Sequence, residues 1–430
     1  MKHIVFLFTL LAAPMLWAAD AVSNGSANDS VANNRFSIDV QLRTRAEYNG
    51  GAQTPLGPTD KRAFFINNRA RIGLGYQYKW LELKLSAQHT GVWGQDDIKD
   101  KFGRVSMNEA WARMCWGKEQ EWFAQVGRQQ FSYDDERILG GLDWNVAGNW
   151  HDAVRLGYEG TEHRAHIMAA YNQNGENIRG GFYQHNTGMP YRLLVGAWYH
   201  YQPTKVPVAF SALFLNTGFE VGAAGAAKMA HMQTLGAHFT ANPANWNLSA
   251  SYYYQMGYNN ADRRTSAMMA AVRANYAVLK ELSLGVGYDY MSGAGTDPAV
   301  NNAFNPLYGT HHKFYGAMDY FYASPWVNNC GLHDALFTIN GKPHKKVSLG
   351  MTYHYFAGAS LPAGMAPTLG HELDFSMTAK LMEFITLHAG YSFMVGTATM
   401  DYAKGGDHTR WNDWAFVSLN VNPRIFNKKW

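Results

Sequence analysis

The chain has 430 residues, a formal net charge of +4, 14% aromatic residues and 16% charged residues. So small a net charge over this length gives no indication of nucleic-acid binding. After the N-terminal region, no segment approaches the roughly 20 apolar residues of a transmembrane helix, which excludes helical membrane spans. The two classes left are a secreted soluble protein and an outer-membrane β-barrel.

The N-terminus predicts export from the cytoplasm. A basic start is followed by the apolar run Ile4–Trp17 and by small residues with an A-x-A cleavage pattern ending near Ala21. This is the pattern of a secretory signal peptide, which we assign to residues 1–21. Residues 22–35 are small and polar, and they predict a flexible leader. The transmembrane β-barrel is then predicted over residues 36–430.

The chain contains long segments in which apolar and polar residues alternate, and this alternation helps to distinguish a membrane barrel from a soluble protein. In Phe36–Tyr48 (FSIDVQLRTRAEY), the even positions are mostly apolar and the odd positions are polar or charged. Such alternation predicts a β-strand with two unlike faces. Similar patterns recur along the chain, for example in Ile66–Tyr78, Trp246–Gln255 and Ile385–Phe393.

Three features favour a membrane barrel over a soluble sandwich. The alternating segments often exceed ten residues, whereas soluble strands usually have about five or six and tilted membrane strands need about nine to eleven. Many apolar faces end in aromatic residues such as Trp80, Trp116 and Trp122, as expected at membrane interfaces. The opposite faces carry charges that a sandwich interior could not hold but a watery lumen can.

The strand count follows from the same pattern. Candidate strands begin near residues 36, 63, 81, 105, 121, 152, 164, 191, 207, 230, 246, 268, 282, 312, 332, 347, 371, 385 and 413. Because single-chain bacterial barrels have even strand numbers, one of these nineteen is spurious. The prediction is an all-β, antiparallel transmembrane barrel of about 18 strands, with 16 as the alternative.

The segment from Val126 to Tyr158 carries a family resemblance. It reads VGRQQFSYDDERILGGLDWNVAGNWHDAVRLGY and resembles the alginate-export family of outer-membrane barrels. The matching positions are Gly127, Arg128, Gln129, Arg137, Gly140, Asp143, Trp144, Asp152 and Val154. Later segments, NPLYGTHHKFYGAMDYF and LGHELDFSM, are similar to the family more loosely. The chain differs at Asn149–His151, where the family often has an arginine followed by an aromatic residue. The resemblance implies a barrel and an export pore.

The predicted site is a charged lumen. Strand phase places Arg43, Arg45, Arg69, Arg71, Arg113, Arg155, Glu47 and Glu109 on inward positions. The resemblance adds Arg128 and Arg137, together with Asp143 and Asp152 of the same segment. Fixed cations in an aqueous pore favour anions, and guanidinium groups suit carboxylates such as those of uronic-acid sugars. The alternative is that these arginines pair with the carboxylates and only hold the lumen together.

The functional prediction is a pore that conducts an anionic, alginate-like polysaccharide or small anions across the outer membrane of a Gram-negative bacterium. The alternatives are a general or substrate-specific uptake porin, and a secreted or barrel-borne carbohydrate-active protein that would use the acids of YDDER, Asp134–Glu136, with Asp143. We expect no catalytic residues, metal or cofactor. Expected partners are outer-membrane lipid and the anion, with periplasmic export partners left open and nucleic acid excluded. Cys115 and Cys330 either pair or are both free.

Overall fold

A computed structural model describes residues 34–96, 104–176, 178–183, 189–321 and 329–430. The predicted signal peptide and most of the predicted leader lie outside these ranges. The first strand begins at Asn34. In the described part of the chain, no helix is long and apolar enough to span a membrane.

Almost all regular structure in the described residues is β-strand. The strands are β1 Asn34–Gly50, β2 Ala63–Tyr78, β3 Leu81–Val92, β4 Val105–Trp116, β5 Trp122–Gln129, β6 His151–Glu159, β7 His163–Tyr171, β8 Leu193–Tyr201, β9 Val208–Val221, β10 Lys228–Ala241, β11 Trp246–Tyr258, β12 Arg264–Leu279, β13 Leu282–Met291, β14 Val300–Asn301, β15 Leu332–His344, β16 Val347–Ala357, β17 Thr368–Met382, β18 Ile385–Gly396, β19 Asn412–Val421 and β20 Arg424–Lys429. Two short helices complete the set, a 3-10 helix at His311–Lys313 and α1 at Ala398–Lys404.

The sheet closes into a barrel of eighteen antiparallel strands. Each wall strand pairs with the next, and β1 pairs with β19 to close the ring. The two-residue β14 lies in a loop and makes a parallel contact with β12. The final segment β20 continues the last strand and pairs with the start of β1. The prediction of an 18-stranded barrel is confirmed. The spurious candidate is the one near residue 312, which lies in the 3-10 helix.

The barrel wall has two unlike faces, as the alternation predicted. On β1, Gln41 and Arg43 point inward and are 2% and 4% exposed, whereas Leu42 between them is 46% exposed. The outward side chains form the apolar band that faces lipid. Exposed tryptophans mark its borders, among them Trp80 and Trp122 at one end of the strands and Trp411 at the other. This arrangement matches the interfacial aromatic girdles of outer-membrane barrels.

The lengths of the connections between strands indicate how the barrel is oriented in the membrane. At one end of the barrel, turns of two to six residues join the strands, and both chain ends of the barrel meet there, with Asn34 N–H bonded to the Trp430 carbonyl at 3.0 Å. Most of the loops at the other end are longer. Outer-membrane barrels have short turns in the periplasm and long loops outside the cell, so the short-turn end is periplasmic.

Two of the long connections fold into the lumen. The first inserted loop is residues 130–150, between β5 and β6, and the second is residues 302–321, between β13 and β15. They bind each other in the middle of the barrel through a parallel bridge at Leu139 and Tyr308, where Gly140 N–H donates to the Tyr308 carbonyl at 3.0 Å. Their buried apolar residues form the hydrophobic core of the protein together with the inward apolar residues of β6–β13 and single buried residues of β15–β19.

Candidate functional site: the lumen and its inserted loops

Four arginines form a cationic patch on the inner wall. Arg43 and Arg45 come from β1, and Arg69 and Arg71 come from β2. We call these four residues the arginine cluster. Arg43 and Arg69 are direct cross-strand partners, an arrangement that is unfavourable for like charges unless an anion lies between them. All four side chains are buried, and Arg69 is 0% exposed.

The first inserted loop supplies that anion. One Asp143 oxygen accepts from Arg43 Nη1 at 2.9 Å, and the other accepts from Arg69 Nη2 at 2.7 Å. The Trp144 carbonyl accepts from Arg45 Nη1 at 2.8 Å. Arg69 Nη1 also donates to the Val146 carbonyl at 3.4 Å. The loop therefore meets the arginine cluster with a bridging carboxylate and a row of carbonyl oxygens.

Trp144 completes this contact. Its ring lies beneath the Arg45 guanidinium at 3.8 Å and stacks on His312 of the second inserted loop at 3.9 Å. Arg45 also bonds Glu47 at 2.8 Å. A guanidinium and an imidazole on the two faces of one indole hold both loops against β1.

Polar side chains extend the contact along the wall. Arg71 binds the Gln88 side-chain oxygen from Nε at 2.9 Å, and Gln88 in turn donates to the Ala147 carbonyl at 2.7 Å. Glu109 on β4 forms an ion pair with Lys84 at 2.6 Å. Glu109 faces the lumen through this pair.

A neighbouring sector of the lumen wall, three to six strands from β1, is acidic. Asp289, Asp334, Glu372 and Asp374 face inward from β13, β15 and β17, and the first three are 0% exposed. We call them the acidic wall. Arg137 of the first inserted loop bonds Asp289 at 3.0 Å. The second inserted loop turns amide groups to this wall: Met318 N–H donates to Glu372 at 2.8 Å.

The predicted inward arginines nearer the periplasm have partners of their own. Arg113 binds Glu159 at 3.1 Å and lies over the Phe123 ring at 3.7 Å. Arg155 donates to Gln125 at 2.9 Å. The structure thus brings Arg43, Arg45, Arg69, Arg71, Glu47 and Asp143 together in one place, and it leaves Arg113, Arg155 and Arg137 in separate contacts.

Arg128 and Asp152 do not line the pore. Arg128 donates two hydrogen bonds of 2.8 Å to the Asp152 carboxylate, and the two residues are direct partners across β5 and β6. Their neighbours Gln125 and Gln129 point inward and are buried, so the alternation of the strand turns Arg128 outward. Asp152 is 53% exposed on the outer surface. The prediction that Arg128 and Asp152 line the pore was therefore wrong. It rested on the family resemblance, which does not indicate the face of the strand on which a residue lies.

The acids of the YDDER segment are held apart by different partners. Asp134 accepts from the Trp198 indole at 3.0 Å. Asp135 binds Arg137 and Ser251, and Asp143 binds the arginine cluster. In the connection between β18 and β19, ligand atoms of Asp401, Asp407 and His408 lie within 4.8 Å of one another.

Some lumen contacts had no sequence signal. The pairing of Asp143 with Arg43 joins residues one hundred positions apart, and nothing in the local pattern indicates it. His312 lies where the sequence predicted the start of a strand, and nothing in the sequence indicated that it would stack on Trp144. Both cysteines are free in the structure, and Cys330 is buried.

An eighteen-stranded barrel with an apolar outer band and loops folded into a charged lumen defines an outer-membrane pore. A family model described as "Alginate export" matches residues 35–411. The chain therefore belongs to the alginate export family, and its place is the outer membrane of a Gram-negative bacterium. The sequence has no match among curated proteins.

Solved structures share the fold. OccK3 (OpdO) of Pseudomonas aeruginosa aligns with a TM-score of 0.62 and 10% identity, over 92% of this chain and 97% of that one. OccAB4 of Acinetobacter baumannii aligns with a TM-score of 0.58 and 12% identity, over 93% of this chain and 98% of that one. At this identity the likeness establishes the architecture alone.

Proposed function

We propose that the pore conducts an anionic saccharide, with the arginine cluster as its selective element. The observation that carries the proposal is the grip of Arg43 and Arg69 on the Asp143 carboxylate, with distances of 2.9 and 2.7 Å. The carboxylate of a uronic-acid sugar has the same charge and the same two acceptor oxygens. An arrangement that binds an internal carboxylate between two guanidinium groups also suits an external one.

The charge balance supports this proposal. Arg43, Arg45 and Arg69 share two carboxylates, those of Asp143 and Glu47. If the first inserted loop withdraws Asp143, three cations face one anion. The positive potential of the patch then rises in a region of low dielectric constant, where fixed charges act more strongly than in water. In the absence of cargo, the Asp143 carboxylate occupies the anion site, and a carboxylate of the cargo displaces it.

Planar bilayers test the proposal. The purified barrel is inserted, and the reversal potential is measured in a salt gradient with and without a polyuronate. We expect an anion-selective channel that the polyuronate blocks. The double variant Arg43→Gln/Arg69→Gln should lose the anion preference and the block, whereas Arg128→Gln, which removes an equivalent charge from the outer surface, should keep both. Cation selectivity in the unaltered protein, or loss of selectivity in the Arg128 variant alone, would overturn the proposal.

A second candidate is the uptake of small anions. The observation that favours it is the filling of the lumen by both inserted loops, which meet at Leu139 and Tyr308. A passage beside such loops suits small carboxylates better than a polymer. The same bilayers separate the two candidates, because a small-anion porin would conduct monocarboxylates while a polyuronate leaves its current unchanged.

A further inference from the structure

The periplasmic half of the lumen contains a row of polar residues on six successive strands. Glu159 on β6, Arg164 on β7, His200 on β8, Ser211 on β9 and His238 on β10 are direct cross-strand neighbours in turn, and Ser251 on β11 follows. We call these six residues the polar belt. Each occupies an inward position. The two histidines are fixed in orientation, since each bonds a serine of the row through Nδ1 at 2.8 and 2.9 Å.

A cavity of about 460 Å³ lies between this belt and the root of the first inserted loop. The belt residues Glu159 through His238 line it from below, and Tyr133 and Asp134 of the loop line it from above. Trp198 and Arg155 contribute to its sides. The volume is that of ordinary small-molecule sites, which range from about 300 to 1,000 Å³. The cavity is wide enough for a sugar unit and adjoins the short-turn rim.

The cavity contains two arginines without a carboxylate partner. Arg155 is engaged by the neutral groups of Gln125 and Tyr133. Glu159 is engaged by Arg113 and His166, and Asp134 by the Trp198 indole. Arg164 also lines the cavity, and within the described residues its side chain forms no hydrogen bond or ion pair. Hydroxyl, imidazole and carboxylate groups surround it. This combination of one available guanidinium with several neutral donors and acceptors matches a ring that carries hydroxyls and one carboxylate.

We propose that this cavity is a second binding site, which takes a uronic-acid unit from the periplasm before the chain reaches the arginine cluster. The inference rests on the proposed function for its direction of transport, but the binding itself does not. Arg164 receives the carboxylate, and the belt bonds the ring hydroxyls. A ligand held here also contacts Tyr133 and Asp134, at the start of the segment that carries Asp143.

Binding to the full-length, detergent-solubilised protein tests the site. Calorimetry compares a hexuronate tetrasaccharide with a neutral tetrasaccharide. We expect the uronate to bind and the neutral sugar to bind at least tenfold more weakly. Arg164→Gln should weaken uronate binding by about tenfold to a hundredfold, the usual effect of losing one hydrogen bond to a charged group. Arg164→Lys should retain part of the affinity. Lys205→Gln is the matched control, because it removes the same charge from an exposed turn at the same rim.

Two results would overturn the site: equal weakening by the Arg164 and Lys205 variants, which would reduce it to general surface attraction, or equal affinity for the neutral sugar. A heat-shifted gel band checks that each variant is folded. The readouts are independent of the channel measurement. If the pore shows no anion preference while uronate binding still depends on Arg164, the proposed function fails and this site stands. If the pore is anion-selective and Arg164→Gln binds the uronate normally, the proposed function stands and this second site is refuted.

Discussion

Asp143→Asn is the most informative single change, because it removes the charge between Arg43 and Arg69 and keeps the shape of the side chain. Two charge-assisted hydrogen bonds, of 2.9 and 2.7 Å, join the carboxylate to these arginines. Such bonds contribute roughly 1.5–3 kcal/mol each. The Asp143 side chain is 26% exposed, and the amide still accepts from one arginine. We therefore expect the inserted position of the loop to lose about 3 kcal/mol, a shift of roughly 150-fold in its population.

Single-channel recording and polyuronate block measure the result. The loop should leave the arginine cluster more often, so the mean conductance should rise and the polyuronate should block at lower concentration. The barrel itself should fold normally, because its wall is held by interstrand hydrogen bonds that the change does not touch. Asp152→Asn is the control: it breaks an arginine–carboxylate pair of the same geometry on the outer surface. Unchanged conductance and block in Asp143→Asn would refute the role of Asp143 as an internal anion.

Three further outcomes follow from the inserted loops and the cysteines. Gly309→Ala should loosen the contact between the loops by about 1–3 kcal/mol, since a Cβ there would lie 2.3 Å from the Arg137 carbonyl; faster proteolysis of the loops in the folded barrel would show it. Burial lowers the pKa of His311 from 6.5 to about 4, so its contribution to loop insertion is complete above pH 6.5 and is lost as the pH falls through 4. Conductance should rise over that window, and His311→Gln should flatten the rise; an identical pH profile would contradict this. Cys330 is buried with a pKa raised to about 11, so a soluble maleimide at pH 7 should label it only after unfolding, with Cys115 labelled first. A disulfide in the untreated protein would be the opposite result.

The wall of the barrel was predictable because its signal is local. Many strands show apolar and polar residues in alternation, and the predicted starts of the wall strands lie within four residues of those in the structure. The segment near residue 312 misled the count for a physical reason. It is packed inside the lumen, so its apolar and aromatic residues are buried by loop contacts and not by pairing in a sheet.

The lumen was predictable only in part. The inward phase of Arg43 and Arg69 follows from the same alternation, but their shared partner does not. Asp143 reaches them because residues 130–150 fold back into the barrel, and that path depends on contacts with distant strands. Arg128 was misplaced because the resemblance identifies a residue type and carries no information on which face of β5 it occupies.

Two sectors of the lumen wall, one basic and one acidic, hold the first inserted loop, and this determines which part of the loop can move. Arg137 is fixed at 3.0 Å to both Asp289 of the acidic wall and Asp135 of its own loop. The carboxylates of this region repel an incoming polyanion and so disfavour its access to Arg137. The same polyanion can replace Asp143 at the arginine cluster. Gly140 and Gly141 lie between these two contacts. We expect cargo to release the segment after the glycines while the part around Arg137 stays in place. Spin labels at Asn145 and at Ser132 would test this: polyuronate should mobilise the first label and leave the second unchanged, whereas equal mobilisation would mean that the loop leaves as a whole.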